Sequence, residues 1–368
     1  MKTAHPIILF IAVYIFGLIA AIMWFNFGEE WQIFGDAVHY VSLYNGEIAP
    51  APWGYRVITP YLASFFPWDI KTNFTVVAIN SVSLTAGVIA LYGRKVGCSL
   101  QGIFIMIFFW VSSYPFVYYS TAIIRADAPM LLMLATLFLL SKYRVHPIIL
   151  LLLISLGIFS HEMILVFVPA LLLDKIFSGK LTGGANYKYY ELFFISLGSL
   201  FILIFIRNTF INVSSTVELS IFNTTILKYT GGFLKHGLRV YAAYGPVLLF
   251  CLFFISIYKS WSVTTPFIVL LFLVIFVTFH ATDTLRVMAI LYLPILLYAT
   301  KYLLACWEDK RHNVVIFLIF LQALYSLTVY AHLRTFETSI VLNIIAASIS
   351  LISLILCIVV FTKNYVNN

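Results

Sequence analysis

Long apolar runs recur along the whole chain and constrain its fold more than any other feature. A helix needs about 20 mostly apolar residues to cross the hydrocarbon core of a membrane. Runs bounded by charged or turn residues predict spans near 6–25, 73–92, 102–118, 127–141, 146–160, 162–174, 190–206, 240–258, 265–281, 286–300, 313–332 and 339–361. The prediction is an all-α polytopic transmembrane bundle of about twelve spans, with 10 to 13 compatible with the pattern.

Composition excludes most soluble classes of protein. The 368 residues are 62% hydrophobic and 10% charged, whereas a soluble chain carries about 25% charged residues. We therefore expect a single transmembrane domain over 1–368. The net charge of +8 is dispersed between apolar runs, so no nucleic-acid footprint is predicted. The four cysteines have no metal-ligand spacing, so no zinc site or disulfide framework is expected.

The first apolar run is interpreted as a span and not as a cleaved signal peptide. It covers 6–25 and has no clear small-residue cleavage site before its aromatic end, and it is longer than the usual apolar core of a signal, roughly 7–15 residues. The first span therefore leads directly into the first loop on the other side of the membrane.

The charged residues predict an orientation. Cytoplasmic loops are enriched in basic residues, and the best assignment places thirteen of the 22 basic residues inside. Most of these inner residues are lysines, whereas most basic residues of the outer loops are arginines. Because the planar guanidinium suits phosphate and carboxylate binding, the outer face is predicted to carry the functional site.

The first outer loop, at 26–72, is far longer than a simple connector requires. Asp36, His39 and Tyr40 are spaced to lie on one face of a short helix, and a carboxylate there is placed to remove a proton from an acceptor. The alternative is that Asp36 only caps that helix. Arg56, in the same loop, predicts either a phosphate contact or an interfacial anchor.

Two further polar positions interrupt the apolar pattern at predicted outer ends of spans. Arg125 and Asp127 precede and begin the fourth span. They predict a phosphate ligand and a second acid of the site or, alternatively, a simple helix cap or a local ion pair. His161 and Glu162 lie between two short spans. Ionisable groups in such a place are costly unless they are paired or face water, so they predict either a cavity role or a structural pair.

The later outer segments are less informative. Asp283 and Arg286 join the ninth and tenth spans, and they form either a local salt bridge or a further substrate contact in which Arg286 binds phosphate. A second outer loop at 207–239 is polar enough to cover part of the outer face.

The order of these features resembles the integral-membrane glycosyltransferases of the C-type fold, known as GT-C. Gly35-Asp36-Ala37-Val38-His39-Tyr40 looks like the acidic element that follows the first span in that group, and residues 125–129, RADAP, are similar to its second acidic segment. The His161-Glu162 pair between two short helices adds to the likeness. This chain departs from the group in having no Asp-Asp or Glu-x-Asp pair directly after the first span, where only Glu29-Glu30 precedes Asp36.

The resemblance implies inverting transfer of a hexosyl or pentosyl group from a polyprenyl-phosphate sugar to a glycan, lipid or protein acceptor. Asp36 would be the general base, with Asp127 and Glu162 as supporting acids. Arg56, Arg125 and Arg286 would hold the phosphate, and His39, Tyr40, His161 and Asp283 would contribute to the substrate site. No cofactor or bound metal is predicted, although the resemblance leaves a divalent metal requirement open.

Two other functions fit the same class of chain. A polysaccharide polymerase or ligase would use a lipid diphosphate donor and a large late outer loop, for which 207–245 is moderately suited. A lipid-linked sugar flippase or permease would need polar residues along a route through the bilayer, and the predicted span centres are almost free of charge.

The expected location is a bacterial inner membrane, with the active site on the periplasmic face.

Overall fold

The computed structural model describes residues 5–27, 36–49, 53–121, 124–125, 127–177, 186–210, 241–257, 261–278, 288–335 and 340–366. Within these ranges the chain is helical and contains no strand. The prediction of an all-α protein is therefore confirmed at the level of fold class.

Each of the twelve apolar runs contains helix. In chain order the helices are α1 (Pro6–Phe27), α2 (Asp36–Tyr44), α3 (Ile58–Ser64), α4 (Ile70–Lys95), α5 (Leu100–Val111), α6 (Tyr114–Thr121), α7 (Asp127–Lys142), α8 (Pro147–Ser160), α9 (Phe167–Ile176), α10 (Tyr189–Phe210), α11 (Pro246–Ile257), α12 (Trp261–Thr278), α13 (Tyr292–Glu308), α14 (His312–Thr335) and α15 (Ile340–Val366). Short 3₁₀ helices cover Trp53–Tyr55, Glu162–Val166 and Ala289–Leu291.

Five helices in the described ranges are long and apolar enough to cross a membrane, and the number is six if α5 and α6 together form one bent span. Four of these five are α1, α4, α10 and α15, and the fifth is α13 together with the 3₁₀ helix that precedes it. Several other apolar helices, including α8 and α11, are shorter. The described helices are therefore consistent with a helical membrane protein. The total of twelve spans stays a prediction.

Helix α4 lies at the centre of the first half of the bundle, where it packs against α1, α5, α6 and α7. Its contact with α1 is close because Gly17 faces α4, and a Cβ atom at Gly17 would lie 3.2 Å from the Cα atom of Ser83. Small residues permit such close approach between membrane helices. The buried hydroxyls of Ser81, Ser83 and Thr85 donate to carbonyls four residues earlier in α4.

The third predicted span, 102–118, is not one straight helix. It consists of α5 and α6, which meet at an angle of 49°. Ser112 and Ser113 separate the two helices, and Pro115 stands at the second position of α6, where proline is compatible with a helix start but not with continuation of the preceding helix.

A break inside a membrane exposes backbone carbonyls that need donors. The indole nitrogen of Trp24, on α1, donates to the carbonyl of Val111 at 3.2 Å. The side chains of Gln322 and Ser326, both on α14, donate to the carbonyl of Ser112. The bend is therefore supported by α1 and α14, which come from opposite ends of the sequence.

The first outer loop has its own small hydrophobic core. Tyr40 of α2, Ala63 of α3 and Phe74 of α4 are buried together with Ile124, the residue just before Arg125. This core is separate from the main core of the bundle. It fixes α2 and α3 against the start of α4 and against the segment that leads into α7.

Candidate functional site

Arg56 and Glu162 form a two-point ion pair between the first outer loop and the segment after α8. The Nε atom of Arg56 donates to Oε2 of Glu162 at 3.0 Å, and its Nη2 atom donates to Oε1. The Arg56 side chain is 8% exposed and that of Glu162 is 28% exposed. Bidentate geometry fixes the orientation of the guanidinium plane as well as its position.

His161 connects this ion pair to Asp127. Its backbone leaves the helical conformation at the end of α8, and its Nδ1 atom accepts the N–H of Met163 at 3.2 Å. Because Nδ1 acts as an acceptor, the neutral ring carries its hydrogen on Nε2. That Nε2 atom lies 3.4 Å from Oδ1 of Asp127.

Asp127 occupies the first position of α7 and is 2% exposed. A carboxylate in the first turn is stabilised by the helix dipole, and His161 supplies a nearby polar partner. The sequence-based expectation that Asp127 begins a helix is confirmed. Asp127 is buried next to His161, and its role in the site stays a prediction.

The electrostatic state of Glu162 follows from two opposed effects. Burial of the carboxyl group is the largest single effect and raises its pKa, but the charges of Arg56 and His161 and the hydrogen bonding from Arg56 together lower the pKa by more. The net result is a pKa well below the usual range of a glutamate. Glu162 is therefore ionised at any physiological pH, and a carboxylate with so low a pKa is a weak proton acceptor.

The helix α2 is attached to the same region by stacking. The ring of His39 stacks on Trp53, with centroids 4.2 Å apart and an interplanar angle of 27°, and Trp53 comes three residues before Arg56. Tyr40, the next residue of α2, is completely buried. The predicted short helix is confirmed, and His39 and Tyr40 hold it against the loop that carries Arg56.

Asp36 is the first residue of α2, while its side chain lies outside the described residues. Asp283 and Arg286 also lie outside the described residues, as does most of the second outer loop, since the described part of α10 ends at Phe210. Arg125 is half-buried between Ile124 and α7. The structure thus brings Arg56, Asp127, His161 and Glu162 together, and the roles of all the predicted site residues stay predictions.

Asn73 is a positioning residue that the sequence analysis missed. It is completely buried, and its side-chain nitrogen lies 2.9 Å from the hydroxyl of Tyr44 and 2.8 Å from the carbonyl of Phe66. Its side-chain oxygen accepts the N–H of Trp68 at 3.2 Å. One amide therefore ties the end of α2 and the turn after α3 to α4. The available signal was an asparagine at the very start of the predicted span 73–92.

The chemistry available at this site is that of ordered carboxylates and a fixed guanidinium. Among the described residues, no group of three or more His, Cys, Asp and Glu side chains is arranged to hold a metal ion. Four side chains contact one another in succession: Asp127, His161, Glu162 and Arg56. This network orients polar groups at one end of the apolar bundle.

Comparison with known proteins adds no assignment. The chain matches no protein-family model, and a search of curated proteins finds no similar sequence.

Proposed function

We propose that this protein is a membrane glycosyltransferase of the GT-C kind, which transfers a sugar from a polyprenyl-phosphate donor to an acceptor at the periplasmic face of a bacterial inner membrane. The observation that carries the proposal is the convergence of Arg56, Asp127, His161 and Glu162 from three distant segments. Arg56 of this cluster belongs to the first outer loop, 26–72, which also carries Asp36.

The location of the cluster supports a lipid-linked substrate. It lies where α7 begins and α8 ends, so it is at one end of apolar helices. The turn that follows α3 presents Phe65 and Trp68, which are 65% and 54% exposed, beside the start of α4. Aromatic side chains of this kind are enriched where a membrane meets water, which is the level at which a polyprenyl phosphate presents its headgroup.

In the proposed reaction, the Asp36 carboxylate accepts the proton of an acceptor hydroxyl or amine as that atom attacks the anomeric carbon. The bond between this carbon and the phosphate oxygen breaks, and the phosphate keeps the electron pair. The configuration at the anomeric carbon inverts because attack and departure occur on opposite faces. Arginine side chains offset the charge that develops on the leaving phosphate.

The structure suggests distinct tasks for the predicted acids. Because Arg56 lowers the pKa of Glu162, Glu162 is assigned to orienting Arg56 and not to accepting a proton. Asp127, buried against His161, is assigned to shaping the acceptor side of the site. Asp36 is left as the general base. Arg56 and Arg125 are assigned to contact the phosphate, together with Arg286, which lies outside the described residues.

Donor consumption tests the proposal. Purified protein is incubated with a panel of polyprenyl-monophosphate hexoses and pentoses and a membrane glycan and lipid fraction, and released polyprenyl phosphate is measured. We expect release from at least one monophosphate donor with formation of a glycosidic bond. Consumption of diphosphate donors alone would favour a polymerase or ligase, and movement of an intact donor across liposomes would favour a flippase.

A further inference from the structure

Two recesses lie on either side of the first turn of α14, at the opposite end of the bundle from the Arg56–Asp127 cluster. One is a cleft of about 650 Å³ between α5 and α14. The other is a smaller pocket of about 290 Å³ between α14 and α15. Val315 lines the cleft and its neighbour Val314 lines the pocket, so the two recesses lie on different faces of the same helical turn.

The cleft is mostly apolar. Phe104 and Phe108 of α5 line one wall, and Ile319 of α14 lines the other. Ser99 and Gln101 bring polar groups to the end of the cleft where α5 begins. This distribution suits a hydrocarbon chain whose polar end lies near the start of α5.

The smaller pocket is cationic. Lys310, Arg311 and His312 line it together with Val359 and Val360 of α15. An Nη1 hydrogen bond of 2.7 Å to the carbonyl of Val360 fixes Arg311. The exposed carboxylates of Glu308 and Asp309 precede these residues along the chain but line neither recess. The charge of the pocket lining is therefore positive.

Lys310 has an unusual backbone for its residue type. Its φ angle is +60°, in the left-handed region where glycine is the common residue after a helix. Backbone N–H groups of Lys310 and Arg311 donate to the carbonyls of Trp307 and Cys306, which close the end of α13. The turn would be less strained with glycine, so a lysine here points to a use for the side chain.

Trp307 and His312 form the partition between the recesses. Their rings lie 4.3 Å apart, with Trp307 lining the cleft and His312 lining the pocket. Tryptophan is enriched at the boundary between headgroups and hydrocarbon. A tryptophan at this partition is therefore compatible with a site that receives both the phosphate and the acyl chain of one lipid.

We propose that the two recesses bind one glycerophospholipid with an anionic headgroup. Its phosphate occupies the pocket formed by Lys310, Arg311 and His312, and one acyl chain lies in the cleft between α5 and α14. Charge complementarity selects an anionic headgroup, since basic pockets between membrane helices on the cytoplasmic side bind such lipids. The lysine distribution predicts that this end of the bundle is cytoplasmic. The site is independent of the proposed transferase activity.

Native mass spectrometry of the full chain tests the proposal, with phosphatidylglycerol and phosphatidylcholine carrying identical acyl chains as probes. We expect the protein to prefer phosphatidylglycerol, and Lys310→Gly to reduce that preference about fivefold, because each basic side chain near a headgroup contributes roughly that factor. Glycine relieves the left-handed backbone, so the thermal midpoint of Lys310→Gly should be unchanged or higher. Loss of lipid preference is then separated from loss of folding.

Two controls locate the lipid. Lys188→Gln removes the same charge at a position that lines neither recess, so it should leave the preference unchanged. Gln101→Trp narrows the cleft and should weaken phosphatidylglycerol binding. Equal binding of the two lipids, an equal effect of Lys188→Gln and Lys310→Gly, or no effect of Gln101→Trp would overturn the proposal. Displacement of the lipid by soluble glycerol phosphate would also overturn it, because the pocket would then be a site for free phosphate.

Discussion

Arg56 and Glu162 lie 106 positions apart in the sequence and form a two-point ion pair in the folded chain. Both residues were predicted from the sequence but with separate roles, phosphate binding for Arg56 and a supporting acid for Glu162. Residue type and position between spans predicted that both are polar site residues. Their pairing depends on how α3 and α8 approach each other, and neither segment carries a local signal for that contact.

The Arg56–Glu162 pair should show strong energetic coupling. Glu162→Gln leaves a guanidinium that is only 8% exposed without its charged partner, and we expect the double-mutant cycle with Arg56→Gln to give a coupling of about 1–3 kcal/mol. Thermal unfolding in detergent measures it. Arg56→Gln combined with Asp69→Asn, which caps α4 from an exposed position, serves as the control and should be additive within about 0.5 kcal/mol. Additivity of the Arg56 and Glu162 changes would show that the pair is not formed.

The same ion pair predicts how the stability of the folded protein depends on pH. The folded-state pKa of Glu162 is lowered, so its contribution to stability is fully present above the unfolded pKa of about 4.3 and is lost as the pH falls toward the folded value. The difference in thermal midpoint between the wild type and Glu162→Gln should therefore be constant from about pH 8 to pH 5.5 and shrink below about pH 4. A difference that narrows between pH 8 and pH 6 would contradict this assignment.

At the scale of elements, the bend between α5 and α6 shows what hydropathy predicts and what it misses. The apolar run at 102–118 predicted one span because every residue in it is compatible with a membrane. Ser112, Ser113 and Pro115 were local signals of a break. The donors that stabilise the break, Trp24 and Gln322, come from helices far away in the sequence, so their part could not be predicted from the run itself.

Removal of the donors should destabilise the bend. Ser326→Ala removes a hydrogen bond to the Ser112 carbonyl and should cost about 1 kcal/mol, while Ser326→Ala with Gln322→Leu should cost about 2 kcal/mol because this carbonyl then loses both donors. Thermal unfolding in detergent measures both costs. Ser353→Ala is the matched control, since Ser353 is buried in α15 and bonds only within its own helix turn. A cost for Ser326→Ala no greater than that of the control would argue against its support of the bend.

For the whole molecule, the distribution of basic residues predicts which end of the bundle faces the cytoplasm. Ile48 is 90% exposed in the first outer loop, and Glu308 is exposed at the end of α13. In a background without native cysteines, Ile48→Cys should react with a membrane-impermeant maleimide on intact cells. Glu308→Cys should react only after the membrane is opened. The reverse pattern would place the candidate site on the cytoplasmic side.

The fold class was predictable because membrane helices need only a local excess of apolar residues. The candidate site was predictable in part, because ionisable residues beside apolar spans are few and costly. Asn73 was missed because its hydrogen bonds to Tyr44 and Phe66 belong to the packing of the loop. The small core around Tyr40 and Ile124 likewise unites residues that the sequence keeps far apart.

The central claim is that the first outer loop supplies the base for sugar transfer. The most direct measurement is the transfer rate of purified Asp36→Asn beside that of Asp69→Asn, a matched loss of one carboxylate in the same loop, with the polyprenyl-phosphate donor that the wild type uses. Asp36→Asn should lower the rate by about 10²–10⁴-fold, the usual contribution of a general base, and keep the wild-type thermal midpoint. Asp69→Asn should retain most of the activity. A folded Asp36→Asn variant with wild-type activity would contradict the account.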